Sequence, residues 1–143
     1  TIKSGSFLTI YQEPILAFAY KNYRFPADRS LLLISTEDDD FIYEAKGSKT
    51  TVFVNNEELG IIDRDGSLYE PRTNDLLANI EANQLLSSHP VKINGKEVGE
   101  VVNVRLNESP NPRAYQFIEP MDSKEVKIFK ALTFLSLAEE SLS

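Results

Sequence analysis

His89 is the only histidine in the chain. It stands in Ser87-Ser88-His89-Pro90, a segment that reads as a loop entering a strand. A serine beside a histidine raises Ser-His-acid chemistry, in which the imidazole takes the hydroxyl proton. That chemistry usually places its serine in a G-x-S-x-G turn, and no such segment occurs. A single histidine also excludes a multi-histidine metal site. His89 is read as an exposed loop residue, and no residue is assigned a catalytic role.

Two acidic segments have the right atoms for a hard cation. Glu37-Asp38-Asp39-Asp40 offers four adjacent carboxylates, the oxygen donors that Ca²⁺ prefers. Neighbouring residues of a strand point to opposite faces, so a contiguous run converges poorly on one ion; a solvated hairpin tip is the better reading. Asp63-Arg64-Asp65-Gly66-Ser67 resembles the start of a calcium loop. The EF-hand pattern needs D-x-[DN]-x-[DN]-G with a glutamate at its twelfth position between helices, and here the flanks read as strands. Asp65-Gly66 is instead a tight-hairpin signal, with φ > 0 expected at both central residues. No metal-ligating, cofactor-binding or ligand-binding residue is assigned.

Aromatic residues interleaved with cations bind single-stranded nucleic acid by stacking and charge. The only local instance is Lys21-Asn22-Tyr23-Arg24-Phe25, and the tyrosines (Tyr11, Tyr20, Tyr23, Tyr43, Tyr69, Tyr115) are spread through strand-like segments as core and rim residues. The chain carries 22 acidic and 15 basic residues, a net charge of −7. That balance argues against nucleic acid and against an anionic membrane surface, both of which need clustered Lys and Arg. With no cysteine, disulfides and thiolate chemistry are excluded, which suits the cytoplasm. The apolar run Ile15 to Ala19 is too short and lacks the basic lead-in of a signal peptide.

The elements that would position any site are mostly strands. Residues 1–143 fit one domain, and an apolar share of 41% is enough for a core. Phe7 to Tyr11, Ile15 to Lys21, Ser30 to Ser35 and Phe41 to Ala45 are short β-branched or aromatic runs. They are separated by Gln12-Glu13-Pro14, Pro26-Ala27-Asp28, Asp38-Asp39-Asp40 and Gly47-Ser48. This spacing points to a barrel or a sandwich. Leu76 to Ala82 fits a strand or one helical turn, Asn107 to Arg113 a solvated loop, and Ala114 to Ile118 a strand.

An internal repeat links Val52 to Ile62 (VFVNNEELGII) with Val91 to Val101 (VKINGKEVGEV). Asn55-Asn56 and Asn94-Gly95 suit left-handed turn positions. Gly60 and Gly99 early in each return strand permit a bulge or a close backbone approach.

The chain ends in a helix over Ser123 to Leu142. Asp122 with Glu125 forms a capping-box pattern. From Ile128 to Ala138 (IFKALTFLSLA) eight of the eleven residues are apolar. Ile128, Leu132 and Leu135 fall on one side, Phe134 and Leu137 towards the other, with Phe129 between. A helix apolar nearly all round is buried, and this one is shorter than the roughly 20 apolar residues that cross a bilayer. Thr133 and Ser136 are expected to bond back to carbonyls one turn earlier, and Lys130 to carry its charge to solvent over a buried stem.

The two hairpin copies and the ending Met121 to Leu142 (MDSKEVKIFKALTFLSLAEESL) resemble the tubby-like superfamily, which includes LURP-one, YxjI-type and phospholipid-scramblase-like proteins. The resemblance is carried by residues 41–142, and by the first forty only through strand count. It implies a mainly β fold with one C-terminal α-helix: a closed antiparallel barrel of about twelve strands around a central hydrophobic helix. The basic phosphoinositide patch of tubby domains and the palmitoylated cysteines of scramblases have no counterpart here. The function expected is that of a non-enzymatic binding or scaffold domain without a cofactor, for a lipid headgroup or a protein partner. A hydrolase with a site assembled from distant acidic residues, and a structural subunit that oligomerises through a strand edge, are the alternatives.

Overall fold

The computed structural model describes residues 2–8, 14–23, 29–80, 88–102, 115–117 and 120–142. Their chain order is β1 (Ile2–Leu8), β2 (Pro14–Tyr23), β3 (Arg29–Thr36), β4 (Asp40–Lys46), β5 (Lys49–Val54), β6 (Glu57–Ile62), β7 (Ser67–Tyr69), β8 (Leu76–Ile80), β9 (Ser88–Ile93), β10 (Lys96–Val102), β11 (Tyr115–Phe117) and α1 (Ser123–Leu142). All eleven strands form one antiparallel sheet in sequence order, each paired with its chain neighbour. The mainly β chain with one C-terminal helix is as expected.

The closed barrel is not. Among the described residues β1 pairs only with β2, and β11 only with β10. The sheet therefore remains open. It does bend. The helix packs against β5 as well as β8, β9 and β10, and the Tyr43 hydroxyl of β4 donates to its Ala131 carbonyl. A flat stretch from β4 to β10 would span about 29 Å at about 4.8 Å per strand, whereas a helix is only about 10–12 Å across. Contact from both ends of that stretch requires the sheet to curve around α1.

The helix begins as its sequence dictates. The Glu125 N–H donates to Asp122 Oδ1 at 2.8 Å and the Asp122 N–H to Glu125 Oε1 at 3.2 Å, a reciprocal cap. Ile128, Phe129, Ala131, Leu132, Phe134, Leu137 and Ala138 are buried, on all sides of the helix, whereas Leu135 is half-buried. Phe134 meets the inward ring of Phe41 edge-on, 5.4 Å between centroids. Thr133 corrects the expected back-bond: its Oγ1 is buried and has no hydrogen-bond partner.

The two repeats fold alike. Asn55 and Asn56 have φ of 52° and 69°, and Asn94 and Gly95 of 53° and 79°, so both hairpins turn through two left-handed residues. In the first, Val52 pairs with Gly60 and Phe53 with Glu58, leaving Leu59 as the bulged residue. In the second, Val91 pairs with Gly99 and Lys92 with Glu97, leaving Val98. The bulge turns an apolar side chain towards the core in each copy: Val98 is buried and Leu59 packs against the cluster. A Cβ on Gly60 would lie 2.6 Å from the Tyr69 carbonyl oxygen and 2.7 Å from Leu68 Cδ1, so the close approach is real.

The Asp65-Gly66 hairpin exists with a different turn. Only Gly66 has positive φ, at 83°. The Gly66 N–H donates to the Asp63 carbonyl at 3.1 Å and the Asp63 N–H to the Ser67 carbonyl at 2.9 Å. That is a three-residue loop ending in a left-handed glycine, which relieves Asp65 of the φ > 0 expected of it. Leu76 to Ile80 is a strand, and Gln12, Glu13, residues 24–28 and Asn107 to Arg113 lie outside the described residues.

Candidate functional site

His89 lies within β9, opposite Val101, and is half-buried; it is not a loop residue. Ser87 and the side chain of Ser88 lie outside the described residues. Among the described residues no three His, Asp or Glu side chains converge to hold a metal. The acidic tip is occupied with its own turn. Asn55, from the first repeat, accepts from the Asp40 N–H at 2.9 Å and donates to Asp39 Oδ1 at 2.7 Å, while Ser35 Oγ donates to Asp40 Oδ1 at 2.8 Å. Glu37 and Asp38 remain exposed beside it. Asp65 likewise accepts from the Ser67 N–H at 3.1 Å.

A cleft of about 250 Å³ opens where the turns Gly47-Ser48 and Asp63–Gly66 meet the C-terminal half of α1. Leu132 and Ile80 contribute apolar surface to it, Ser136 a hydroxyl, and Asp63, Arg64 and Glu139 charge. Partial burial pushes the Glu139 carboxyl above its ordinary range. Tyr43, fully enclosed, is held well above the usual phenol value by burial first and by the Glu139 charge second. A raised carboxyl beside a hollow is one ingredient of acid catalysis. The cleft contains no histidine to activate its hydroxyls. Of the six tyrosines, Tyr43 is buried and stacks on Phe41, and Tyr20 and Tyr69 are half-buried; the side chains of Tyr11, Tyr23 and Tyr115 lie outside the described residues.

The feature that sequence reading missed is on the outside of the sheet. Strand pairing places Ala19, Leu33, Ile42 and Phe53 side by side across β2, β3, β4 and β5. They face away from the core formed by Leu32, Ile34, Phe41, Tyr43, Val52 and Val54. Leu33 is 43% exposed, one of two large apolar side chains so exposed among the described residues. A shallow groove of about 440 Å³ runs over Ala17, Ala19, Leu33 and Ile42. Two residues towards one end, the outward positions are Ser35, Asp40 and Asn55, next to the acidic tip; towards the other they are Leu31 and Glu44, then Arg29, Lys46 and Lys49. Arg29 is ion-paired with Glu44. The face is thus apolar in the middle, acidic at one end and basic at the other. The available signal was the unbroken run Leu31-Leu32-Leu33-Ile34, which puts apolar side chains on both faces of β3.

Among the described residues no helix is long and apolar enough to cross a membrane. No protein-family model, no curated protein and no solved structure matches this chain.

Proposed function

We propose that the chain is a non-enzymatic binding or scaffold domain that engages a protein partner through the outer face of β2–β5. The observation that supports this is the in-register row Ala19, Leu33, Ile42 and Phe53, set on the side of the sheet opposite the core. A single exposed leucine is ordinary; a contiguous apolar strip with a charged rim is what interaction surfaces present. The partner's matching surface is apolar at its centre, with cations facing the Asp40 end and carboxylates facing the Lys46 end. A net charge of −7 and the lack of cysteine fit an encounter in the cytoplasm. The resemblance to tubby-like and LURP-one proteins belongs to the same proposal, supported by the paired hairpins and the terminal helix.

A photoreactive residue in place of Leu33 tests the surface. Discrete protein adducts are expected from position 33 and not from position 76, since Leu76 is 53% exposed but lies on β8, away from the row. Equal, diffuse labelling from both positions would refute a dedicated face.

A further inference from the structure

We infer that the cleft beside the C-terminal half of α1 is a binding site for a small organic cation, an alkylammonium head on a short apolar body. The cleft shares no lining residue with the outer groove over β2–β5, so it is a second site with a ligand of its own. Its floor is apolar, with Ile62, Ile80 and Leu132 buried there. Its rim is charged: the carboxylates of Asp63, Asp65 and Glu139 stand against a single cation, Arg64. The last turn of α1 has no basic residue, so the negative end of the helix dipole adds to the field at Glu139.

The three carboxylates are not equivalent. Asp65 is occupied with its own turn, accepting from the Ser67 N–H at 3.1 Å. Among the described residues Asp63 and Glu139 have no cationic partner, and Arg64, on the same rim, pairs with neither. An anion drawn partly out of water without a counter-charge is a costly arrangement, and an arriving ammonium relieves it. Burial already pushes the Glu139 carboxyl up, as it does for a carboxylate in that position. A metal ion does not suit the cleft. Ca²⁺ and Mg²⁺ take six or more oxygen ligands, waters included, and no three acidic groups converge among the described residues. An alkylammonium asks for less, three acceptors for its three N–H donors. The Glu139 carboxylate and the hydroxyls of Ser136 and Thr50 are acceptors of that kind on the cleft wall, and the floor covers the carbon chain. The wall is preformed. The Asp63 N–H donates to the Ser67 carbonyl at 2.9 Å and the Ile80 N–H to the Gly66 carbonyl at 3.1 Å, which ties the turn to β8 and leaves little to order on binding. A volume of about 250 Å³ lies below the roughly 300–1,000 Å³ of sites for drug-sized molecules, so the ligand is smaller than those.

Titration of the full chain with n-pentylamine at neutral pH, followed by backbone amide NMR, tests the site. Saturable shifts are expected at Gly47-Ser48, at Asp63–Gly66 and in the C-terminal half of α1, with a dissociation constant of about 1–10 mM for so small a probe. Glu139→Gln is expected to raise that constant about fivefold, a modest factor because the rim is open to water. Asp38→Asn, which removes an exposed carboxylate at the acidic tip, is expected to leave it unchanged. Pentanoate, with a body of similar length and the opposite charge, is expected not to bind. Unshifted amides away from the cleft establish that Glu139→Gln is folded. No saturable shift at about ten times the expected constant, pentanoate binding as well as the amine, or the parent's affinity in Glu139→Gln overturns the proposal. A lysine blocked at both ends carries the same head on a peptide unit. If it binds more tightly than pentylamine, the cleft takes a protein side chain and the free-cation site is overturned. None of these outcomes bears on the outer face, which is read independently from position 33.

Discussion

Truncating three helix side chains that differ in enclosure measures how α1 is held. Phe134 is 1% exposed and has an aromatic partner in Phe41. Removing a buried phenylalanine costs about 3–5 kcal/mol, and the edge-on pair adds about 0.5–1.5 kcal/mol. Leu132 is 2% exposed but lines the cleft. The space left by Leu132→Ala joins the cleft and fills with water, which puts its cost at the lower end of the usual range, about 2–3 kcal/mol. Leu135 is only half-buried, so Leu135→Ala is expected to cost about 1 kcal/mol. Against a typical stability of about 5–15 kcal/mol all three remain measurable. Leu132→Asp, which buries a charge, is expected to abolish folding, and Lys124→Ala, at an exposed position, to change little. Urea unfolding of the series gives the order Phe134 > Leu132 > Leu135. Leu135→Ala costing as much as Phe134→Ala, or a soluble Leu132→Asp with the parent's midpoint, would refute the packing described.

Gly60→Ala puts a methyl group against a backbone carbonyl at 2.6 Å and is expected to destabilise by about 1–3 kcal/mol, whereas a Cβ on Gly47 meets nothing within 4 Å and Gly47→Ala bears only the strain of its left-handed φ, about 1 kcal/mol; thermal midpoints compare the two. Thr133→Val exchanges a buried, unpartnered hydroxyl for a methyl of similar shape and is expected to raise the thermal midpoint, a gain of about 1 kcal/mol. A lowered midpoint would mean that the hydroxyl is bonded. Glu139 has a folded-state pKa raised by desolvation, so the folded chain holds its proton more tightly than the unfolded one. Its destabilising effect is absent below the unfolded pKa and complete above the folded one. Glu139→Gln is therefore expected to stabilise at neutral pH and to lose that advantage as the solution is acidified to pH ~4, read from unfolding midpoints across pH.

What the residues reveal by themselves is local chemistry. Asp122 and Glu125 cap the helix within four residues, and Asn55-Asn56 and Asn94-Gly95 select their turn within two. Each depends on neighbours in the chain. The Asp65-Gly66 turn was half legible, because the glycine fixes the need for one left-handed residue while the loop length depends on how β6 and β7 pair. The outer row was illegible for a stronger reason. Leu31, Leu32, Leu33 and Ile34 form an unbroken apolar run, and only pairing shows that Leu33 stands beside Ile42 and Ala19 on the solvent side. Thr133 was misjudged because a back-bond that is locally available need not be made.

The closed barrel failed at the longest range. An apolar circumference shows that a helix is surrounded; it does not show that the surrounding sheet meets itself. Here the helix is reached from β4 and β5 on one flank and from β8, β9 and β10 on the other, which suffices to bury it without a pairing between β1 and β11. Register shifts at four of the strand pairs are a source of the curvature this demands, and two of them belong to the repeats. A bulge inserts one residue into one strand, bends it and increases its twist. The two repeats carry their bulges at Leu59 and Val98, in hairpins on either side of the β8 strand that also touches α1. A sequence repeated 39 residues apart therefore places two equivalent bends in the sheet. Gly60 follows its bend as a residue small enough for the neighbouring strand to close in. On this argument the repeat is a device for wrapping: each copy turns the sheet further around the helix, and the apolar residues of Ile128 to Ala138 are what the wrapped surface encloses.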